Sequence, residues 1–322
     1  MSPRYFNREL SWLKFNNRVL QEAADINVPL IERLRFLGIF SNNLDEFFRV
    51  RYATIQRILR AGKNATKSLG GVTAADLLEK ITAEVIKDQA KSFEVLNQLE
   101  EELRNENIIL VDETEILPPQ HENYIRSYFN NYVSPALATI MVSDESEFPT
   151  LRDGLGYLAV RMVMKDSSLP VRYALLEIPK SLNRFIELPS IDGDDKQYII
   201  LLDDLIRDRM HYIFNIFEYS HLEAHMIKVT LDAELDIDID LKKSLIEKIS
   251  RSVKDRKDGD PVRFVYDKSI HQETLDFIMS KVEIDDTDSI IPGGRYHNRR
   301  DYLKFPSLGR TDLLYEKKLH YL

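Results

Sequence analysis

The stretch FLGIFSNNLDEFFRVR (residues 36–51) sets three short polar side chains, Ser41, Asn42 and Asn43, between two apolar, helix-patterned segments. Upstream, Pro29 opens a run with Leu30, Leu34 and Leu37 at helical spacing; downstream, Leu44, Phe48, Ile55 and Leu59 continue such a stripe. The polar step has three readings. It is a turn before a new helix capped by Asn43, with Glu46 three residues on as in a capping box. Or it lies inside one unbroken helix, because Leu30, Leu34, Leu37, Ser41, Leu44 and Phe48 keep a 3–4 spacing through it. Or it is a small-molecule contact, where an amide offers a donor beside an acceptor.

Outward from this stretch the pattern predicts helices. Residues 8–25 carry Leu10, Leu13, Val19 and Leu20, with the single tryptophan, Trp12, as a core anchor. A second helical tract spans Pro29 to about Leu59; its Arg49, Arg51, Arg57 and Arg60 read as a solvated face or, alternatively, as phosphate contacts. GKNATKSLGG (62–71) is a polar linker, and Thr73 to Asn105 is a long helix with an apolar stripe. Short linkers between such helices predict an antiparallel, all-α N-terminal domain over residues 1–106.

From residue 107 the periodicity changes. IILVDE (108–113) reads as a strand, Pro118–Pro119 precede a helix from His121 to Val133, and Tyr157–Lys165, Val171–Lys180 and Arg184–Leu188 alternate like strands. The first two of those form a hairpin across Asp166–Pro170. After a short apolar strand, Ile199 to Phe217 reads as helix, Glu223–Leu235 as strand, Leu241–Lys254 as helix, Pro261–Tyr266 as strand and Ile270–Ser280 as helix. Without a strict βαβα rhythm, residues 107–322 are expected to be α+β, so the chain is multi-domain.

A chain of 322 residues with 43% apolar and 30% charged side chains has the composition of an ordinary globular protein. The absence of cysteine excludes disulfides and thiolate chemistry and fits a cytoplasmic setting. Neither a signal peptide nor the roughly 18 uninterrupted apolar residues of a membrane span is visible. A net charge of −9 argues against nucleic-acid binding, yet Arg295–Lys318 holds seven Lys or Arg against three acids. That local field matters to a polyanion more than the sum does.

Chemistry-bearing motifs are few. GxxxxGK[ST] and GxGxxG are both absent. Asp236, Asp238 and Asp240 alternate with apolar residues, as metal ligands do, but also as a half-buried strand before a capped helix does. His221 and His225 are four apart without an HExxH frame, and His320 has too little sequence around it; no metal is assigned. IPGGRYHNRR (291–300) is the second candidate, because Gly293–Gly294 permits close backbone approach and Arg295, His297, Arg299 and Arg300 can meet phosphate oxygens. The alternative is a turn whose arginines pair with acids across an interface.

RELSWLKFNNRVLQEAAD (8–25) and PLIERLRFLGIFSNNLDEFFRVR (29–51), followed in order by VRYALLEIP (171–179), PVRFVYD (261–267) and SIIPGGRYHNRRDYLKFP (289–306), resemble the bacterial polyphosphate kinases. That resemblance implies a helical N-terminal domain and an α+β head domain that serves homo-oligomer contacts. It implies reversible transfer of the terminal phosphate of ATP to polyphosphate through a phosphohistidine. It also implies that Asn43 contacts the adenine of ATP, an amide pairing with the exocyclic amine and a ring nitrogen. The family's catalytic histidine and magnesium ligands lie in further domains not matched here, so autonomous activity is not expected; a non-catalytic interaction module of the same descent is the alternative.

Overall fold

The computed structural model describes residues 7–62, 69, 71–145, 147–233, 260–282, 284 and 288–316. The expected aspartate alternation at 236–240, the helix Leu241–Lys254, most of the 62–71 linker and His320 lie outside them.

Helix α1 (Arg8–Ala24) starts at Asn7, whose side-chain oxygen accepts from the backbone N–H groups of Glu9 (3.0 Å) and Leu10 (3.1 Å). Helix α2 (Leu30–Glu46) runs unbroken through Ser41, Asn42 and Asn43, with Ser41 buried. The continuous-helix reading holds, and Asn43 does not cap a new helix. Directly after it the backbone takes π-helical hydrogen bonding over Phe47–Tyr52, then returns to α-helix in α3 (Ala53–Arg60). The widened turn lets Phe47, Phe48 and Tyr52 all reach the core, where Trp12 stacks on Phe47 at 4.8 Å between ring centroids. Helix α4 (Ala74–Asn105), capped by the Thr73 hydroxyl, closes the helical domain against α1, α2 and α3.

Two sheets follow. Strand β1 (Ile108–Val111) pairs in parallel with β6 (Gln197–Leu201), which pairs antiparallel with β5 (Phe185–Glu187). The six-stranded sheet has the order β2-β4-β3-β7-β8-β9, from β2 (Ala138–Val142), β3 (Gly156–Met164), β4 (Arg172–Glu177), β7 (Tyr219–Leu231), β8 (Pro261–Asp267) and β9 (Ser289–Gly293). The expected β3–β4 hairpin is present, and among the described residues of this sheet only β8 and β9 pair in parallel. Both faces of this sheet are covered. Leu158, Val160 and Met162 of β3 face a core with Ile125 of helix α5 (Pro119–Tyr128) and, beyond the short α6 (Ser134–Ala136), Leu205 of α7 (Leu202–Asp208). Tyr157 and Ala159 face the opposite core with Leu275 and Ile278 of helix α9 (Gln272–Lys281).

Three expectations change. The helix expected over Ile199–Phe217 is strand β6, then α7 and a short α8 (Met210–Ile213), because Ile199–Leu201 is consumed by pairing with β5. Strand β2 lies where no strand was expected, and so does the edge strand Ser289–Gly293, which takes in the Pro292–Gly293 step offered as a turn. The two parts also share cores. Tyr302 and Phe305, at the 3-10 turn Arg299–Lys304, pack among Leu20, Leu34 and Leu99 of the helical domain.

Candidate functional site

Asn43 stands half-buried on α2, and its Nδ2 donates to Asn16 Oδ1 of α1 at 3.1 Å. Asn16 is buried and its own Nδ2 donates to the Phe40 carbonyl at 3.1 Å. The two amides and one backbone carbonyl thus form a directed chain. Asn42 is exposed, and the adjacent Asn17 of α1 turns instead to Asp88 of α4.

Asp45 lies two residues on, roughly 200° around the helix, and points the other way. Its carboxylate accepts from Lys228 Nζ of β7 at 2.6 Å and from Arg263 Nη2 of β8. Lys228 also donates to Asn298 Oδ1 at 3.1 Å, Arg263 reaches the Thr230 hydroxyl at 3.0 Å, and its guanidinium lies 4.5 Å above the Phe48 ring. All these charged groups are buried. Burial alone would raise the Asp45 carboxyl, but Lys228 and Arg263 hold it down to about 2. The same desolvation lowers Lys228. One turn of helix therefore faces α1 with an amide and the six-stranded sheet with a carboxylate.

The IPGGRYHNRR segment packs its side chains against α4 and α7. Arg295 Nη2 donates to Asp204 Oδ1 of α7 at 2.7 Å and to Glu113, and the Tyr296 hydroxyl donates to Asp204 Oδ2 at 2.7 Å. Burial and the adjacent Asp203 carboxylate push Asp204 up to about 6. Arg299 is buried, lies 3.8 Å above the Phe93 ring and donates to Ser92 Oγ of α4. His297 is buried with Nδ1 3.0 Å from the Gly294 carbonyl, and burial drives its imidazole down to about 3. Arg300 is half-buried beside Gly154. Of the four expected phosphate contacts, Arg295 pairs with acids, as the interface alternative has it, whereas Arg299 meets a ring and a hydroxyl.

The arginines after SNN keep part of their surface in solvent, Arg60 being exposed, and each also meets an acid. Arg49 pairs with Asp153 at 3.2 Å, Arg57 with Asp232 at 3.3 Å, Arg60 with Asp260 at 3.0 Å and Arg51 with Glu9 at 3.8 Å. Among the described residues no three His, Asp or Glu side chains converge as metal ligands. His225 on β7 sits instead 3.5 Å from Asp267 and 3.7 Å from Glu223. No described helix is long and apolar enough to cross a membrane. A groove of about 710 Å³ between α1 and α4 sets Lys14, Arg18, Lys87 and Lys91 among Glu84, Asp88 and Glu94. A second cavity, of about 500 Å³, has Arg207, Arg295 and His225 among Glu113, Glu223 and Asp267.

Asp45, Lys228, Arg263 and Asn16 were not singled out from the sequence. Lys228 in MIKVT and Arg263 in PVRFV leave a trace there, a lone charge inside an apolar run; Asp45, with Glu46 beside it, does not. Asn16 leaves no comparable trace.

Comparison with known proteins places the architecture. The sequence model of the polyphosphate kinase N-terminal domain matches residues 5–111, and that of the polyphosphate kinase middle domain matches residues 120–305. The chain is 42% identical over 312 residues to the polyphosphate kinase of Vibrio parahaemolyticus, and 40% identical over 314 residues to that of Escherichia coli K12. Each match covers 96% of this chain, and the chain spans 44% of the length of these curated relatives. The crystal structure of polyphosphate kinase from Porphyromonas gingivalis superposes with a TM-score of 0.81 at 30% identity, covering 99% of this chain and 43% of that one. The chain, a helical N-terminal domain joined to an α+β head domain, belongs to the polyphosphate kinase family.

Proposed function

We propose that this chain supplies the base contact of a polyphosphate kinase, with Asn43 reading the adenine of ATP. The enzyme moves the terminal phosphoryl group of ATP to a histidine nitrogen, releasing ADP, and from there to the terminal oxygen of a polyphosphate chain, reversibly. The observation that carries the reading is the match to polyphosphate kinases over nearly all of this chain, together with an Asn43 amide held at one edge and left half-open at the other. An amide in that state presents both a donor and an acceptor to a base. The described residues do not gather a magnesium site, so no step is assigned to that ion here.

A homo-oligomer through the head domain belongs to the same proposal. Strand β2 pairs only with β4 in the described sheet, so its other edge offers backbone donors and acceptors. Met141 on the strand and Tyr132 in the π-helical turn Phe129–Val133 before it are exposed.

Titration of the chain with ATP tests the base contact. Asn43→Ala is expected to weaken ATP by about 5- to 150-fold, the value of a paired hydrogen bond to a base. Unchanged affinity in that variant overturns the reading.

A further inference from the structure

The geometry points to a second residue that governs nucleotide selection: we propose that Asn16 fixes which way the Asn43 amide faces, and so favours adenine over guanine. The inference rests on Asn43 as the base contact and adds a positioning residue to it.

The direction of the hydrogen-bond chain follows from its far end. The Phe40 carbonyl can only accept. Asn16 is 1% exposed, so it has no water to turn toward, and its Nδ2 sits 3.1 Å from that carbonyl. With the NH₂ group committed there, Asn16 presents Oδ1 to Asn43. Oδ1 can only accept, so Asn43 must bring its own NH₂ to it, and does so at 3.1 Å. Turning the Asn43 amide over would set two carbonyl oxygens against each other in a half-buried place. A buried acceptor without a donor costs more than the hydrogen bond itself gains.

The side of Asn43 that remains for a ligand is therefore specified: a carbonyl oxygen and one N–H. Adenine offers an amine at its six-position and an adjacent ring acceptor, which this order matches. Guanine offers a carbonyl at that position, oxygen against oxygen. An amide free to turn over would accept guanine by presenting its NH₂ to that carbonyl. Exposed Asn42, one residue away, has no such chain behind it.

Titrations of the chain with ATP and with GTP, followed by the side-chain amide resonances of Asn43, test this alongside thermal melts. In the unaltered chain ATP should shift those resonances and bind more tightly than GTP. Asn16→Leu removes the acceptor at similar volume, and the ATP-to-GTP affinity ratio should fall by at least about fivefold. Asn16→Asp keeps an oxygen facing Asn43 but sets another against the Phe40 carbonyl; it should melt earlier and retain the ratio. An unchanged ratio in Asn16→Leu, with ATP still shifting Asn43, overturns the role of Asn16 alone. Should Asn16→Leu not fold, loss of the ratio in folded Asn16→Asp overturns it equally. Asn43 resonances indifferent to ATP overturn the adenine reading, and this inference with it.

Discussion

Lys228 Nζ donates to Asp45 Oδ2 at 2.6 Å across 183 residues of sequence, with both side chains buried between α2 and the six-stranded sheet. Arg263 closes the group from β8, so one carboxylate compensates two cations. Asp45→Asn leaves both uncompensated and should cost about 3–5 kcal/mol, the usual loss when one member of a buried pair is removed. A shift in the denaturant midpoint at unchanged slope checks it. The pH dependence has a definite sign. The folded carboxyl lies near 2 against an ordinary 3.8, so its stabilisation is complete above about pH 4 and is lost as pH falls through 2. About 2 kcal/mol should vanish in that window.

His297 should remain neutral in the folded protein at pH 5. Its imidazole is buried and lowered to about 3 from an ordinary 6.5, so the unfolded chain takes up a proton that the folded chain refuses. Stability contributed by His297 is then full above pH 6.5 and falls with acid, by about 1 kcal/mol per pH unit. Nitrogen-15 spectra of the ring check this directly, with Nδ1 carrying the proton donated to the Gly294 carbonyl. A His297 ring titrating near 6.5 contradicts the burial.

Gly38 is the point where α2 meets the backbone of the 299–304 turn. A β-carbon there would sit 2.5 Å from Leu303 N, a main-chain atom that cannot rotate away. Gly38→Ala improves helix propensity by about 1 kcal/mol, yet overpacking of about 1–3 kcal/mol opposes it. A lower melting temperature is the expected net result; a higher one would show that the turn is not tightly seated.

Asn43→Ser separates a helix cap from a helix interior. At an N-cap, Ser replaces Asn at little cost and Ala loses about 0.5–2 kcal/mol. Within α2, Asn43 has no capping duty, so Ala and Ser should differ by no more than their helix propensities, a few tenths of a kcal/mol. Thermal melts of the two variants decide it, and a selective rescue by Ser would contradict the continuous helix.

Light scattering across a concentration series checks the proposed head-domain assembly. Dimers or larger species are the expected result, and Met141→Lys on β2 should reduce them, since an edge lysine discourages strand pairing. A strictly monomeric chain at high concentration contradicts it.

The sequence by itself determined the local architecture and the family. The 3–4 spacing from Leu30 through Ser41 to Phe48 offered one unbroken helix as one of three readings, and α2 takes it through to Glu46, because a helical stripe is a property of the segment. The alternation in Tyr157–Lys165 and Val171–Lys180 gave the hairpin for the same reason. Strand β2 was not legible because its exposed positions, Ala138, Thr139 and Met141, carry no apolar alternation; pairing with β4 alone makes it a strand. Nor was the environment of the arginines legible. Arg49 and Arg57 read as a solvated face or as phosphate ligands, and Arg295 as a phosphate ligand or a partner of some acid, until Asp153, Asp232 and Asp204 arrive from about 90 residues away or more. Asp45 and Asn16 show the limit most plainly. A charge or an amide acquires its partner only when the chain has folded, since a hydrogen bond is set by distances of about 3 Å and sequence separation says nothing about them.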